Sequence, residues 1–262
     1  GATGPTVLGR GWVAVVANMT AVAASNKIVI VVTGDVAPEV AEHHGDFVDM
    51  FRATLGPDRG KYIGVDARTV NNLDIVTRDA AAIFITGSAS HVHHREEWML
   101  RTEAWLRDVV RAGTPVLGVC FGHQLLAQAL GGEVSPNPLG REISTVTIER
   151  AADDPLLDGL EHFEANSCHS DSVTTLPPGA TVLARSRLDP HQVLRFGPAC
   201  YGVQFHPEFD RAVMRAYVSA RAEAIRSEGN DPAELLARAT ETPESASLLS
   251  TFLRCTVGSA VG

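Results

Sequence analysis

Apolar runs typical of buried strands alternate with helix-like segments along the first half of this 262-residue chain. The run at residues 27–35, "KIVIVVTGD", is rich in β-branched residues, which favours a strand buried on both faces. Residues 39–56, "EVAEHHGDFVDMFRATLG", space their apolar residues as one helix does, and Gly56 can end it.

The alternation continues along the chain. The next strand-like segments are "KYIGVDA", "AAAIFITGS" and, further on, "TPVLGVC". A helix-like segment, "REEWMLRTEAWLRDVVRAG", precedes the last of these, and another, "GHQLLAQALGG", follows it. Strands that alternate with helices are connected by right-handed crossovers. We therefore predict an α/β fold with a mainly parallel, doubly wound sheet and flanking helices.

The pattern changes between residues 133 and 206, where short strand-like pieces are separated by turns: "STVTIE", "ATVLAR", "HQVLRF" and "CYGVQF". These pieces predict a small antiparallel section. Two later segments, "DRAVMRAYVSARAEAIRSEG" and "ESASLLSTFLRC", predict a C-terminal helical extension from about residue 210. We expect one domain over residues 28–262.

The first 27 residues do not fit this pattern. They contain a short apolar run and an A-x-A, which loosely imitate a secretory signal. Asn18 and Thr20 dilute the apolar run, and the chain does not begin with methionine. We expect residues 1–27 to be a leader or a cloning remnant that is poorly ordered.

The charge of the chain argues against two classes of partner. It has 31 acidic and 22 basic residues, a formal net charge of −9, and no run of basic residues. We therefore expect neither nucleic acid nor an anionic membrane surface as a partner. No apolar stretch reaches the roughly 18 residues that are needed to span a bilayer.

Four scattered cysteines form no C-x-x-C pair, so they support neither zinc nor thioredoxin chemistry. Four cysteines in a chain of this length also do not suggest a disulfide framework. They favour a reducing, cytoplasmic location.

Cys120 lies in "GVCFGHQ", between an apolar strand and a helix-like segment. The glycines on either side, Gly118 and Gly122, suggest a corner that cannot accommodate a Cβ atom. A G-x-C-x-G in this context is typical of a nucleophile elbow, and the helix N-terminus beyond it favours a thiolate. A buried structural cysteine beside tightly packed glycines would give the same pattern.

The segment "YGVQFHPEF" places His206 and Glu208 two residues apart in extended backbone, so their side chains point to the same face. Pro207 disfavours the helical region for His206. A carboxylate beside an imidazole can fix its tautomer and stabilise the imidazolium that forms when a thiol loses its proton.

Together, these segments make the chain resemble the class I (triad) glutamine amidotransferases, whose signatures are G-x-C-x-G-x-Q and a later H-P-E. Both signatures match without a substitution, and the resemblance covers roughly residues 28–210. It implies a flavodoxin-like fold, Cys120 as nucleophile, His206 as general base and then acid, and Glu208 as the orienting carboxylate. No cofactor is implied.

Two further segments fit the same family. "FITGSAS" takes the place of the S-G-G-P loop, which implies Gly87 and Ser88, with the N–H of Phe121, as the oxyanion hole. "CHSDSV" is similar to the family's H-G-D-x-V, with Ser170 in place of the glycine. This likeness implies that Ser170 and Asp171 meet the α-carboxylate and ammonium of the substrate, and that Gln124 lies near its carbonyl end.

Three histidines in "HVHHREE", His91, His93 and His94, raise the question of a metal site. No carboxylate or cysteine lies at a convincing ligand spacing from them, so we predict no metal site.

The resemblance implies hydrolysis of the L-glutamine side-chain amide through a γ-glutamyl thioester on Cys120. The ammonia would pass to a separate synthetase or acceptor, because the chain has no G-x-x-x-x-G-K-[ST] motif and resembles the stand-alone, GMP-synthase-like branch. A γ-glutamyl peptidase or hydrolase is the alternative, since the same acyl chemistry accepts other leaving amines. A non-catalytic regulatory subunit is a third hypothesis, which the intact cysteine, histidine and glutamate argue against.

Overall fold

The structure is a computed structural model in which residues 26–257 are described. The sequence predicts that residues 1–27 are a poorly ordered leader. Residues 1–25 lie outside the described part, so the structure describes only the last two residues of that segment. Within the described part, the first strand starts at Lys27, where the buried-strand pattern of the sequence also starts.

The strands of the described part are β1 (Lys27–Val32), β2 (Lys61–Asp66), β3 (Ala82–Ile85), β4 (Val116–Val119), β5 (Glu133–Pro136), β6 (Glu142–Arg150), β7 (His162–His169), β8 (Asp171–Thr175), β9 (Thr181–Arg185), β10 (Val193–Gly197) and β11 (Cys200–Val203). The sequence predicts all of them except β5, β7 and β8.

Helices cover the sheet and close the chain. They are α1 (Pro38–His44), α2 (Phe47–Leu55), α3 (Leu73–Thr77), α4 (Glu97–Arg111), α5 (Phe121–Ala129), α6 (Arg211–Ala220), α7 (Ala222–Ser227), α8 (Pro232–Arg238) and α9 (Pro243–Val257). The three helices from α6 to α8 pack with α1 and Phe209 in an apolar cluster of their own, beside the sheet. No helix of residues 26–257 has the length and apolar character that crossing a membrane requires.

The main sheet has the strand order β2-β1-β3-β4-β11-β10-β9-β6-β7. Its first five strands are parallel, and the remaining neighbours pair in antiparallel fashion. The predicted α/β fold with a mainly parallel, doubly wound sheet and flanking helices is therefore confirmed. The antiparallel part is larger than the small section predicted, because four strands extend the same sheet and only β5 and β8 pair separately.

Both faces of the parallel strands are buried, as the β-branched run of β1 predicts. Ile28 and Ile30 join the core beneath α2 and α9, whereas Val29 and Val31 join the core beneath α4 and α5. Because the side chains of a strand alternate, one unbroken apolar run supplies both cores.

The helix predicted over residues 39–56 is two helices. Gly45 has a φ of 78° after α1, and Asp46 begins α2 with a capping box that it shares with Asp49. The apolar residues keep their helical spacing across this break, so the spacing alone predicts one helix. The start of the second helix is set by the reciprocal hydrogen bonds between Asp46 and Asp49.

The parallel strands bring their carboxyl ends to one edge, which we call the carboxyl edge. The order 2-1-3-4 reverses between β1 and β3, and open α/β sheets bind ligands beside such a switch point. At this edge β4 turns sharply into α5. A Cβ atom on Gly118 would lie 2.5 Å from the backbone C and O of Gly122, so strand and helix touch through glycine.

We expect Gly118→Ala to lower the free energy of unfolding by about 1–3 kcal/mol or more, because its Cβ atom would meet backbone that cannot move aside. Urea unfolding measures the change. Gly197→Ala is the matched control, since its Cβ atom would meet nothing closer than 3.9 Å. Equal stability of the two variants would contradict this packing.

Candidate active site

Cys120 occupies the corner between β4 and α5 with a φ of 51° and a ψ of −104°. This backbone conformation is strained for any residue with a side chain, and such strain is held where the surroundings over-determine it. Here the N–H of Cys120 donates to the carbonyl of Val203 at 2.8 Å, and its carbonyl accepts from the N–H of Gln124 at 3.1 Å. The predicted elbow conformation is therefore present.

His206 reaches the same edge because β11 lies parallel to β4 in the sheet. Its N–H donates to the carbonyl of Asn166 at 2.8 Å, and Asn166 Nδ2 donates to the carbonyl of Phe209 at 3.0 Å. His206 Nδ1 lies 2.8 Å from Oε1 of Glu208, so the predicted imidazole–carboxylate pair forms. Asn166 was not identified from the sequence. The signal that could have indicated its role is a polar side chain at a buried position of a strand.

The electrostatics of this group favour a thiolate and an imidazolium. Burial opposes ionisation of Cys120, but the charge of His206 and its hydrogen bond to the thiol outweigh that cost and lower the pKa of Cys120. Burial likewise opposes the charge on His206, but the Glu208 carboxylate and the Cys120 thiolate together hold its pKa well above the usual range. The arrangement can supply a nucleophile and a proton donor.

An aromatic stack supports the imidazole from one side. The ring of Phe209 lies parallel to that of His206, with centroids 4.0 Å apart, and Tyr217 stacks on Phe209 at 4.8 Å. The guanidinium of Arg221 lies 5.6 Å from the centroid of Tyr217. The C-terminal helix α6 therefore fixes the orientation of His206 through Phe209.

A second buried imidazole–carboxylate pair lies nearby. His169 Nε2 is 3.1 Å from Oε2 of Glu142, and His169 Nδ1 is 2.8 Å from the backbone oxygen of Asp171. Burial lowers the pKa of His169, but its hydrogen bond to Glu142 outweighs that effect and raises it. The resulting positive charge also helps to lower the pKa of Cys120.

The loop after β3 carries the residues predicted to form the oxyanion hole. The carbonyl of Gly87 accepts from the hydroxyls of Thr33 at 3.1 Å and Thr86 at 3.0 Å. In a trans peptide the carbonyl of one residue and the N–H of the next point in opposite directions. The bonds to the Gly87 carbonyl therefore also fix the direction of the Ser88 N–H. Phe121 lies in the first turn of α5, where N–H groups lack an intrahelical acceptor.

A polar pocket of about 140 Å³ opens beside Cys120. All three residues predicted to bind substrate, Gln124, Ser170 and Asp171, line it together with Ser88. Gln124 is buried and donates from Nε2 to the backbone oxygen of Asp171 at 2.8 Å, so it holds the wall of the pocket in place.

The histidine segment meets a carboxylate that sequence spacing does not reveal. Oδ2 of Asp171 lies 2.8 Å from Nδ1 of His91 and 3.1 Å from Nδ1 of His93. His94 belongs to the same cluster, with its ring centroid 4.8 Å from that of His93. His91 and Asp171 are separated by 80 residues in the chain and meet only in the fold.

Relatives at 30–39% identity match between 48% and 68% of this chain. The chain is 33% identical over 175 residues to a subunit of the glutamine-hydrolyzing GMP synthase of Pyrococcus abyssi, covering 64% of this chain and 87% of that protein. It is 30% identical over 166 residues to the γ-glutamyl-L-1-hydroxyisopropylamide hydrolase of a Pseudomonas species, covering 56% of this chain and 54% of that protein. It spans about a quarter of the length of the longer GMP synthases it matches.

The fold has the same kind of neighbours. The crystal structure of a glutamine amidotransferase from Thermotoga maritima superposes with a TM-score of 0.74 at 20% identity, covering 89% of this chain and 99% of that one. The model of the family described as glutamine amidotransferase class-I matches residues 57–221, more than half of the chain. The chain therefore belongs to the class I glutamine amidotransferase family.

Proposed function

We propose that the chain hydrolyses the side-chain amide of L-glutamine with Cys120 as nucleophile, His206 as proton carrier and Glu208 as the orienting carboxylate. The observation that carries this proposal is the buried thiol–imidazole–carboxylate arrangement at a strained corner, which lowers the pKa of Cys120. Residues 28–262 would form the single catalytic domain.

In the acylation step the thiolate of Cys120 attacks the γ-carbonyl carbon and forms a C–S bond. The resulting oxyanion is stabilised by the N–H groups of Ser88 and Phe121. The imidazolium of His206 then donates its proton to the leaving nitrogen, the C–N bond breaks, and ammonia departs from a γ-glutamyl thioester.

Water completes the cycle. His206, now neutral, takes a proton from a water molecule that attacks the thioester carbonyl. The C–S bond breaks, glutamate is released, and the thiolate of Cys120 is restored beside the reprotonated imidazole. Glu208 stabilises the imidazolium in both half-reactions and keeps Nδ1 protonated.

A separate synthetase is the proposed acceptor of the ammonia. The relative from Pyrococcus abyssi is itself one subunit of a glutamine-hydrolyzing GMP synthase, which supports a partner on another chain. We propose a reducing, cytoplasmic location, because four scattered cysteines in a chain of this length do not suggest a disulfide framework.

A second candidate function is hydrolysis of γ-glutamyl amides of larger amines. A cavity of about 420 Å³ adjoins the nucleophile and is lined by Cys120, His206 and mainly apolar side chains that include Val36, Phe47 and Phe209. Because His206 would protonate the leaving nitrogen, a cavity beside its ring can receive the amine part of the substrate. The hydrolase from Pseudomonas, named for such an amide, supports this candidate.

Alkylation tests the state of the thiol. At about pH 7 we expect iodoacetamide to label Cys120 before Cys200, whose pKa burial raises to about 12. His206→Gln removes the largest contribution that offsets the burial of Cys120, so the pKa of the thiol rises and its labelling at this pH slows by at least about tenfold. Peptide mapping by mass spectrometry across the pH range gives both results, and an unchanged pH midpoint in His206→Gln would count against the pair.

Turnover of glutamine tests the roles of the triad. We expect Cys120→Ser to abolish glutamate release, and His206→Ala and Glu208→Gln to lower kcat/KM by about 10²–10⁴-fold, with His206→Ala at least as damaging.

The chain offers a matched control in His162 and Glu164, which are also two residues apart in an extended strand but are exposed. His162→Ala and Glu164→Gln should leave kcat/KM within about twofold, since exposed side chains far from special features contribute little. Unchanged kcat/KM in Glu208→Gln would remove the carboxylate from the mechanism. A protein that is not labelled by a glutamine-like electrophile would instead favour the regulatory subunit.

A panel of γ-glutamyl amides separates the two enzymatic candidates. If the cavity receives the amine, kcat/KM for γ-glutamyl isopropylamide should exceed that for glutamine by about tenfold or more, because each buried methylene contributes about 0.8 kcal/mol. Ala37 lines the cavity, so Ala37→Leu should reduce turnover of the isopropylamide and spare glutamine. Ala112→Leu, at an exposed position, is the control. A preference for glutamine over every substituted amide would favour the amidotransferase.

A further inference from the structure

The cluster of His91, His93 and Asp171 has the composition of a metal site. Each residue offers one ligand atom, and the three atoms lie within 4.8 Å of one another. Two of them are imidazole nitrogens and the third is a carboxylate oxygen. Zn²⁺ is held by this set in open, three-ligand sites, where water or another ligand takes the fourth position. The ring of His94 lies 5.1 Å from that of His91 by centroid, and His94 is not one of the three clustered ligands.

The backbone around the histidines is held before any ion binds. Val92, between the two ligands, is fully buried in the core beneath α4 and α5. Arg95 then takes the left-handed conformation with a φ of 54°, and its guanidinium pairs with the buried carboxylate of Glu103. The segment that presents His91 and His93 is therefore anchored on both sides.

The carboxylate is equally well placed. The side chain of Asp171 is only 5% exposed, and the histidines at its Oδ2 are 39% and 36% exposed. Its backbone oxygen accepts from Gln124 and lies 2.8 Å from Nδ1 of His169. An ion can thus reach the cluster from the solvent side of the histidines and meet a fixed, nearly buried anionic ligand. Preorganised ligands of this kind increase metal affinity.

We propose that His91, His93 and Asp171 bind a divalent transition-metal ion of the zinc class at the open side of the polar pocket, and that the bound ion opposes entry of substrate. The second part rests on the proposed function. His91 and Asp171 line the same pocket as Cys120. A divalent cation bound there turns the local charge of the Asp171 carboxylate from negative to positive, so the site repels the ammonium group of a γ-glutamyl substrate.

The first experiment measures binding without turnover. Thiols also bind zinc, so the protein carries Cys120→Ser and Cys168→Ser, which remove both thiols that line the pocket. We expect calorimetry to give one Zn²⁺ per chain, and Co²⁺ to give the visible absorption of a four-coordinate site with nitrogen and oxygen ligands. His93→Gln and Asp171→Asn should each weaken binding by at least about tenfold, since even the outer partners of metal ligands contribute that much.

His43 and His44 supply the matched control, because they form another neighbouring histidine pair, 6.5 Å apart by ring centroid and away from the pocket. His43→Gln should leave Zn²⁺ affinity unchanged. Absence of binding, or binding that His93→Gln and Asp171→Asn do not weaken, would overturn the site.

The second experiment uses the chain with both thiols intact and measures inhibition of glutamine hydrolysis by Zn²⁺. We expect inhibition that raises KM, and His93→Gln should need at least about tenfold more Zn²⁺ for the same effect. Inhibition that is identical in His93→Gln would refute the coupling to substrate entry. If the chain hydrolyses no γ-glutamyl amide, the proposed function fails, whereas the binding experiment still decides the metal site.

Discussion

The buried pair of Cys120 and His206 is the interaction on which the carboxyl edge of the parallel strands depends. Neither group would carry a charge at such burial alone, because desolvation raises the pKa of a thiol and lowers that of an imidazole. His206 offsets the burial of the Cys120 thiolate, whereas the Glu208 carboxylate first and then the Cys120 thiolate stabilise the charge on His206. A buried charge network of this kind demands fixed geometry, since an unpaired member would be costly.

That geometry is provided by groups other than the thiol, the imidazole and the carboxylate themselves. Gly118 and Gly122 let strand and helix meet at the corner where Cys120 is strained. Asn166 holds the backbone on both sides of the H-P-E segment, and Phe209 supports the imidazole face. The core of the sheet and the C-terminal helices therefore contribute to the site through backbone position and packing.

Two cavities meet at the thiol and differ in character. The polar one carries Ser170 and Asp171, whose charge and hydrogen bonds suit the amino-acid end of a γ-glutamyl group. The apolar one lies beside His206 and Phe209, where a leaving amine would depart. Under the proposed function, one thiol–imidazole–carboxylate group would serve glutamine or a bulkier amide, because the acyl chemistry is shared and the second cavity would receive the amine.

The sequence by itself determined the order of strands and helices, the elbow at Cys120 and the pairing of His206 with Glu208, because these depend on local periodicity, glycine positions and a spacing of two in extended backbone. It did not reveal the break of the first helix at Gly45, the extent of the antiparallel strands, or the meeting of His91 with Asp171 across 80 residues. Those features depend on reciprocal capping and on strand pairing between distant segments. Only the tertiary structure decides such contacts, since nothing in the local sequence records which distant side chain completes them.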